Sequence, residues 1–276
     1  MLPDAADARA WHDVAVSEFA APFDKDPAGY AAGRPGYSPK IFTALEERCG
    51  LGKGARVIEI GPGTGQATAE LLRRGAHVHA VEPGPALARH LLGGYPGERL
   101  EVTVSSFEDS VLPEDEADLL VAATSFHWVE PEIGAPKALS VLRPGGSVAI
   151  WWNLFYDPRG PDDFSRALDP IFEEFGDVES PAFVDTRQEE YWIPVLREAG
   201  FDQVAAERFP WEVEQTTEDI VALFSTFSNM RLRPDPERKQ VLARIGGVTD
   251  DQFGGRVRRT YQAVLYTGRK PLSRTG

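Results

Sequence analysis

The sequence predicts an α/β protein built on a doubly wound, mostly parallel sheet. Two observations lead to this fold. Short apolar runs alternate with amphipathic stretches through residues 39–153, as repeated strand–helix–strand units require. The first run, Val57, Ile58 and Ile60, is rich in β-branched residues, and three glycines at alternate positions follow it. Such a run suits a strand that is covered on both faces.

Seven strands and their helices follow from the same patterns. A helix is expected over Pro39–Cys49, and five parallel strands over residues 57–60, 76–81, 100–105, 118–123 and 147–152. Helical material after strand five predicts an inserted helical cap. Residues 203–209 and 258–269 predict strands six and seven, the last of them antiparallel. Between them, Thr217 and Glu218 are expected to cap a helix.

Composition excludes several classes of protein. The chain has 276 residues, 42% of them hydrophobic, which is enough for a sizeable core. Its net charge of −14 disfavours nucleic acid as a partner, and the basic stretch 256–259 is interpreted as a solvated face. No apolar run reaches the roughly 18 to 20 residues of a membrane span. The single cysteine, Cys49, favours a reducing, cytoplasmic compartment.

The glycine turn after strand one predicts a ligand cradle. Gly61, Gly63 and Gly65 carry no Cβ, so a ligand can lie against the main chain, and the following helix points free N–H groups at it. A dinucleotide fingerprint needs a further glycine where Gln66 stands. Instead, an acid, Glu59, precedes the turn inside the strand.

These motifs resemble the class I S-adenosylmethionine-dependent methyltransferases, in the small-molecule branch that is similar to methyltransferase type 11. The resemblance rests on Glu59 to Gly65, on the Phe126-His127-Trp128 run and on the turn Arg143 to Gly146, which occur in the family's order. A segment similar to the family's Tyr-x-x-x-Arg-Pro-x-Tyr lid spans Tyr30 to Tyr37. The resemblance covers about residues 23–153 and implies the Rossmann-like methyltransferase fold.

The resemblance also implies which residues hold S-adenosylmethionine. Glu82, at the tip of strand two, would accept hydrogen bonds from the ribose hydroxyls, as acids there do in both nucleotide-binding classes. Arg34 suits the methionine carboxylate. Ser106 stands where the family has an aspartate for adenine, which leaves that contact to its neighbours. The full expected set is Tyr30, Arg34, Glu59, Gly61, Gly63, Gly65, Glu82, Pro83, Ser106, Phe107, Glu108, Ala123 and Thr124.

The carboxyl end of strand four is the expected reaction site. His127 is the histidine expected at this edge and is either a general base or a wall of the pocket. Acceptor contacts are expected from Tyr37, Phe126, Trp128, Trp152 and Asn153. The expected chemistry is in-line methyl transfer to a small organic acceptor, without a metal, in specialised metabolism. Aromatic residues near the insertion suit a small acceptor: Trp151, Trp152, Phe155, Tyr156, Tyr191, Trp192 and Trp211.

Two alternatives remain open at this stage. One is a nicotinamide-dependent oxidoreductase, and the other is a protein of the same fold that binds the sulfonium cofactor for different chemistry. The expected organisation has an N-terminal helix and lid (residues 1–38), a cofactor-binding core (39–153), and a cap with the last strands (154–276). The sequence leaves the oligomeric state open.

Overall fold

The computed structural model describes residues 33–155, 159–176 and 189–272, together with Gly29 and Ala31. The helical pattern expected before residue 20 lies outside these residues, as do Tyr30 and Tyr156. The described helices are α1 Pro39–Cys49, α2 Gln66–Arg73, α3 Pro85–Gly94, α4 Pro131–Val141, α5 Asp163–Phe175, α6 Glu189–Glu198, α7 Thr217–Ser225, α8 Ser228–Arg231 and α9 Asp235–Phe253. A 3-10 turn spans Phe126–Trp128.

The strands form one sheet in the order β3-β2-β1-β4-β5-β7-β6. Their bounds are β1 Arg56–Ile60, β2 His77–Glu82, β3 Leu100–Val104, β4 Ala117–Ala123, β5 Leu142–Leu154, β6 Asp202–Thr216 and β7 Arg256–Arg269. Strands β1 to β5 pair in parallel, and β7 runs antiparallel between β5 and β6. The predicted doubly wound seven-stranded sheet is therefore confirmed.

The sheet separates two cores, one on each face. Helix α1 buries Phe42 and Leu45 and helix α2 buries Leu71 on the face that includes Trp151. Helices α4 and α6 cover the opposite face, where Trp192 is buried. Successive strand residues point to opposite faces, which explains why neighbours such as Trp151 and Trp152 enter different cores.

A third core belongs to the cap. It joins α5, which follows β5, to α7, α8 and α9, which lie between β6 and β7. Most of the cap therefore enters the chain after β6, while α6, which also follows β5, packs on the sheet. The proposed division of the chain at residues 38 and 153 stays a prediction.

Three local expectations differ from the structure. Strand β6 continues past Phe209 to Thr216 because β7 offers it a long antiparallel partner, and Pro210 is tolerated because β6 is an edge strand. The sequence pattern predicts a helix over residues 236–245, whereas helix α9 continues to Phe253. The cap of α7 is Thr216, whose side chain accepts from the Asp219 N–H in a capping box, and not the Thr217-Glu218 pair.

The basic stretch near the C-terminus pairs within the chain. Arg256 and Arg258 both lie against Glu214, on the neighbouring strand β6. Arg259 is almost fully buried and contacts Asp162 at 2.8 Å, which ties the start of α5 to β7. Asp162 also caps α5 by accepting from the Ser165 N–H. These contacts give the arginines structural partners.

We expect Asp162→Ala to lower the free energy of unfolding by about 3 kcal/mol, because it strands a buried guanidinium and removes a helix cap. The matched control is Asp163→Ala, which removes a carboxylate that is 87% exposed and pairs with Arg166. The control should cost less than about 1 kcal/mol. Urea unfolding of both variants measures the difference, and equal losses would contradict this role for Asp162.

Candidate active site

The glycine turn between β1 and α2 adopts a backbone that favours glycine at all three positions. Gly61, Gly63 and Gly65 have φ values of 60°, 58° and 93°. The neighbouring side chains also leave no room for a Cβ at two of these positions. A Cβ on Gly61 would lie 2.7 Å from the Ser125 Cβ, and one on Gly65 would lie 2.5 Å from the ring of Tyr95. The turn is thus held between the β4 loop and the end of α3.

Glu59 is buried beneath this turn with half of its carboxyl group unused. Its side chain is fully buried, and Oε2 accepts a 2.7 Å hydrogen bond from the Thr68 hydroxyl. Oε1 has no partner among the described residues. Burial raises the pKa of this carboxyl to about 7, against the opposing effect of the Thr68 bond. An orphaned buried oxygen fits a cationic group such as the ammonium of an amino acid.

Glu82 ends β2 and holds the turn from the other side. Its Oε2 accepts from the Gly63 N–H at 3.0 Å, and its Oε1 accepts from the Gly84 N–H at 2.8 Å, across Pro83. A carboxylate only accepts hydrogen bonds, and sugar hydroxyls can donate them, so an acid at this position suits a ribose. The same residue would then orient both the turn and a ribose.

The turn after β3 is ordered by its own side chains. Ser106 donates to Asp109 at 2.8 Å and accepts from the Asp109 N–H. Phe107 is buried beneath Lys137. The Glu108 carboxylate accepts from the Glu130 N–H at 2.9 Å, at the start of α4. That bond gives Glu108 a structural partner, whereas an adenine contact for these residues stays a prediction.

The segment 33–37, here called the strap, crosses the carboxyl edge of the sheet. Gly33 lies so close to α7 that a Cβ would be 2.5 Å from the Ala222 carbonyl oxygen. Arg34 donates to the Thr226 carbonyl at 3.3 Å and lies over the rings of Phe155 and Phe227, 5.3 Å from each centroid. The strap is therefore fixed to the cap.

The other end of the strap is fixed to the sheet. Tyr37 donates its hydroxyl proton to the Ala123 carbonyl at 3.1 Å and lies 3.3 Å from the Thr124 hydroxyl. Asn153 donates to the Gly36 carbonyl at 3.0 Å, and its buried Oδ1 has no partner among the described residues. Thr124 has a φ of 58°, an uncommon backbone for a β-branched residue.

A small cleft lies beneath the strap. Its walls come from the strap, the start of α2 and the ends of β4 and β5: Arg34, Pro35, Tyr37, Gln66, Thr124, Asn153 and Phe155. The cleft itself has a cavity volume of about 20 Å³, and the rest of its empty space opens to solvent. Pockets that hold a small-molecule ligand are on the order of 300–1,000 Å³, so the cleft in this state is smaller than such a pocket.

His127 lies in the 3-10 turn after β4, between two tryptophans. Its ring centroid is 4.8 Å from that of Trp128, and its Nδ1 accepts from the Trp152 indole N–H at 3.0 Å. Burial, and secondarily the charge of Arg34, lowers the pKa of His127 to about 4. His127 is therefore neutral near pH 7, with Nδ1 already engaged.

Two expected acceptor contacts are core residues. Phe126 is fully buried with its edge on Trp192, and Trp152 is 3% exposed and stacks on Trp192 with centroids 5.2 Å apart. Neither residue lines the cleft, because the side chains at these positions point into the sheet's second core. Trp151 and Trp192 are buried as well. Packing therefore explains these aromatic residues.

Sequence reasoning missed several residues around the site. Tyr95 packs on Gly65 and donates to its carbonyl at 3.3 Å, yet it lies 30 positions further along the chain. Thr226 and Phe227 reach Arg34 from the cap, and Gln66 was considered only as a missing glycine. The one sequence signal was the tight Gly33-Arg34-Pro35-Gly36 run, whose glycines indicate a close approach of main chain to a neighbour.

The described residues contain no group of three or more His, Cys, Asp or Glu side chains that could hold a metal ion. No helix in the described ranges is long and apolar enough to cross a membrane.

Comparisons with known proteins define the class. Residues 58–150 match the family model described as a methyltransferase domain. An uncharacterized methyltransferase of Mycobacterium tuberculosis (strain H37Rv) is 29% identical over 201 residues, which is 70% of this chain and 80% of the relative. These matches support an enzyme of the class I S-adenosylmethionine-dependent methyltransferases.

Solved structures share the fold. A proposed type II methyltransferase from Anaeromyxobacter dehalogenans superposes with a TM-score of 0.67 at 22% identity, over 87% of this chain and 99% of that one. A phosphoethanolamine N-methyltransferase of Haemonchus contortus, in complex with phosphomonomethylethanolamine and S-adenosylhomocysteine, gives 0.55 at 13% identity. The superposition covers 90% of this chain and 57% of the Haemonchus contortus chain. Family membership implies S-adenosylmethionine as the cofactor.

Glu59 makes a testable contribution to the pH dependence of stability. Its folded pKa of about 7 lies above the ordinary 4.5, so the unfolded chain ionises first and the free energy of unfolding falls as the pH rises between these values. We expect Glu59→Gln to remove this fall, worth up to about 3 kcal/mol. Urea unfolding of both proteins from pH 4 to pH 8 measures it.

The lowered pKa of His127 acts in the opposite direction, since it raises stability with pH between about 4 and 6.5. This contribution of His127 is the same in wild type and in Glu59→Gln, so it cancels when their stabilities are compared. Parallel pH curves for wild type and Glu59→Gln would contradict the buried, raised carboxyl.

Proposed function

We propose that the enzyme transfers the methyl group of S-adenosylmethionine to a small organic acceptor by in-line displacement, without a metal, in the cleft beneath the strap. The observation that carries the proposal is the fully buried Glu59 carboxyl, whose orphaned Oε1 lies beneath a turn of three glycines with positive φ. A buried anion without a partner calls for a cation, and the cofactor's amino-acid tail carries one.

The residues around the turn fit the remaining parts of the cofactor. Main chain at Gly61, Gly63 and Gly65 would lie under the methionine, with Glu59 on its ammonium and Arg34 on its carboxylate. Glu82 and the backbone at Pro83 would hold the ribose, and Ser106 and Phe107 would border the adenine. Ala123 and Thr124 would border the reacting end, and Tyr30 remains a proposed contact from outside the described residues.

The acceptor would enter between the strap and the end of β5. Tyr37 and Asn153 present polar groups there, Phe155 supplies an apolar wall, and Trp128 lies beside His127. A cleft of this size, bounded by the cap, suits a small molecule better than a polymer. The cofactor supplies an activated methyl group, and the protein's part is to align the acceptor and exclude water.

Several wider aspects are part of the same proposal. We place the enzyme in the cytoplasm and in specialised metabolism, with no nucleic acid or membrane partner. The single cysteine is buried in the sheet's first core, and the net charge is −14. Both features support this placement.

Two alternatives would look different in experiment. A nicotinamide-dependent oxidoreductase would bind NAD, although Gln66 occupies the place of the third fingerprint glycine. A protein of this fold that uses the sulfonium for other chemistry would bind the cofactor but transfer no methyl group. Labelled S-adenosylmethionine, followed into acceptor and into S-adenosylhomocysteine, separates methyl transfer from the second alternative.

We expect Glu82→Gln to weaken S-adenosylhomocysteine binding about 10- to 100-fold, because charged hydrogen bonds to the sugar are worth about 1.5–3 kcal/mol. The matched control is Glu101→Gln, an exposed carboxylate on the neighbouring strand β3. Titration calorimetry with S-adenosylhomocysteine and with NAD measures both. Heat with NAD alone, or unchanged affinity in Glu82→Gln, would overturn the cofactor placement.

A further inference from the structure

The hydrogen bond between Trp152 and His127 fixes which histidine nitrogen carries the proton. An indole N–H can only donate, so His127 Nδ1 has to be the acceptor in the 3.0 Å contact. A neutral imidazole has one N–H, which must then sit on Nε2. The ring therefore offers a proton donor at Nε2, with its lone pair at Nδ1 already used.

Trp152 is held rigidly enough to impose this tautomer. It is 3% exposed, stacks on Trp192 at an interplanar angle of 19°, and meets the edge of Tyr266 at 6.0 Å. These two aromatic neighbours in a packed core restrict rotation of the indole. The tautomer of His127 is thus set by the second core of the sheet.

The Nε2 side of the ring is open to a ligand. None of the described residues bonds to Nε2, and this atom is not among the fully buried polar atoms without a partner. His127 lies three residues beyond Thr124, which lines the cleft, and the charge of Arg34, another cleft residue, lowers its pKa. Arg34 is the charged group that acts on this ring among the described residues, and its ring neighbours Trp128 and Trp152 are uncharged.

We propose that Trp152 is a positioning residue that locks His127 as an Nε2–H donor, and that the acceptor is a carboxylate whose oxygen His127 holds. This inference rests on the proposed function. A donor cannot remove a proton, so His127 suits a nucleophile that is already ionised at neutral pH and can accept its N–H, as a carboxylate does. The net charge of the chain is −14, so long-range electrostatics do not attract an anionic acceptor. Hydrogen-bond donors inside the site would have to select it.

The chemistry balances without a base. A C–O bond forms at the carboxylate oxygen as the methyl–sulfur bond breaks, and the electron pair of that bond stays on sulfur. The anionic oxygen and the cationic sulfonium both become neutral, giving a methyl ester and a thioether, and no proton moves. A hydroxyl acceptor would instead require a proton acceptor, and the lone pair of His127 is already occupied by Trp152.

The tautomer is tested first, without any acceptor. In wild type labelled with ¹⁵N-histidine, we expect His127 to show an unprotonated Nδ1 and a protonated Nε2, unchanged from pH 8 down to about pH 5. Trp152→Phe should mix the tautomers and raise the pKa, because the indole bond stabilises the neutral ring. Trp211→Phe is the matched control, since it removes an indole N–H that has no partner among the described residues, and Trp211 packs on Tyr261 rather than on Trp152 or His127. This control should leave His127 as in wild type. A protonated Nδ1 in wild type would overturn the positioning role.

The acceptor class is tested with labelled S-adenosylmethionine and a panel of aromatic and aliphatic carboxylic acids, each paired with the alcohol of the same skeleton. We expect label on acids only, as esters that release labelled methanol in alkali. On the best acid, kcat should vary little from pH 6 to 8 and fall about tenfold in Trp152→Phe. His127→Gln, which keeps an N–H donor, should retain more activity than His127→Ala.

Label on alcohols, or on no acid, would overturn the carboxylate assignment. So would a kcat that rises tenfold per pH unit, as removal of a proton by base requires. Cofactor binding to wild type is measured separately, so this inference can fail while the proposed methyl transfer stands.

Discussion

A turn that favours glycine at three positions fixes the geometry of the whole site. Gly61 and Gly65 touch Ser125 and Tyr95 so closely that neither has room for a Cβ. The Gly63 N–H is bound by Glu82. The ends of β1, β2 and β4 and the end of α3 therefore meet at one stretch of bare main chain. Any ligand at this edge of the sheet encounters those elements together.

The turn lies over a carboxyl group that the protein alone leaves half-satisfied. An unpaired buried oxygen lowers the free energy of unfolding. In Glu59 the same burial raises the pKa of the carboxyl, because the charged form loses its contact with water. A bound cation would offset this loss at the moment of binding. Glu59 thus lowers the stability of the protein at a position proposed to bind the cofactor, which is a pattern common at functional sites. Asn153 Oδ1 is a second, uncharged example on the acceptor side of the cleft.

The strap connects the cap to the sheet above the cleft. Its two ends contact different parts of the chain: Arg34 donates a hydrogen bond to the cap and Gly33 packs against it, whereas Tyr37 donates to the end of β4. A displacement of the strap would therefore break contacts with both the cap and the sheet. The cleft in this state is smaller than a ligand pocket, so a ligand that bound there would displace residues that both the cap and the sheet hold.

The sequence predicted the sheet well because its evidence is local. Strand runs, glycine spacing and the order of motifs each lie within a few residues, and all agreed. It assigned Phe126 and Trp152 to the acceptor site, whereas both side chains pack in the second core, because an aromatic residue near a strand end gives the same sequence pattern whether it faces a ligand or the core. Which face it takes depends on Trp192, 40 positions further on. Tyr95, Thr226 and Phe227 escaped notice for the same reason, since their partners are distant in sequence.

A crystal structure with S-adenosylhomocysteine tests the central claim most directly. The account predicts the amino group about 3 Å from Glu59 Oε1, the methionine part along Gly61–Gly65, and both ribose hydroxyls on Glu82. A ligand bound elsewhere, or bound here with Glu59 Oε1 still without a partner, would contradict it.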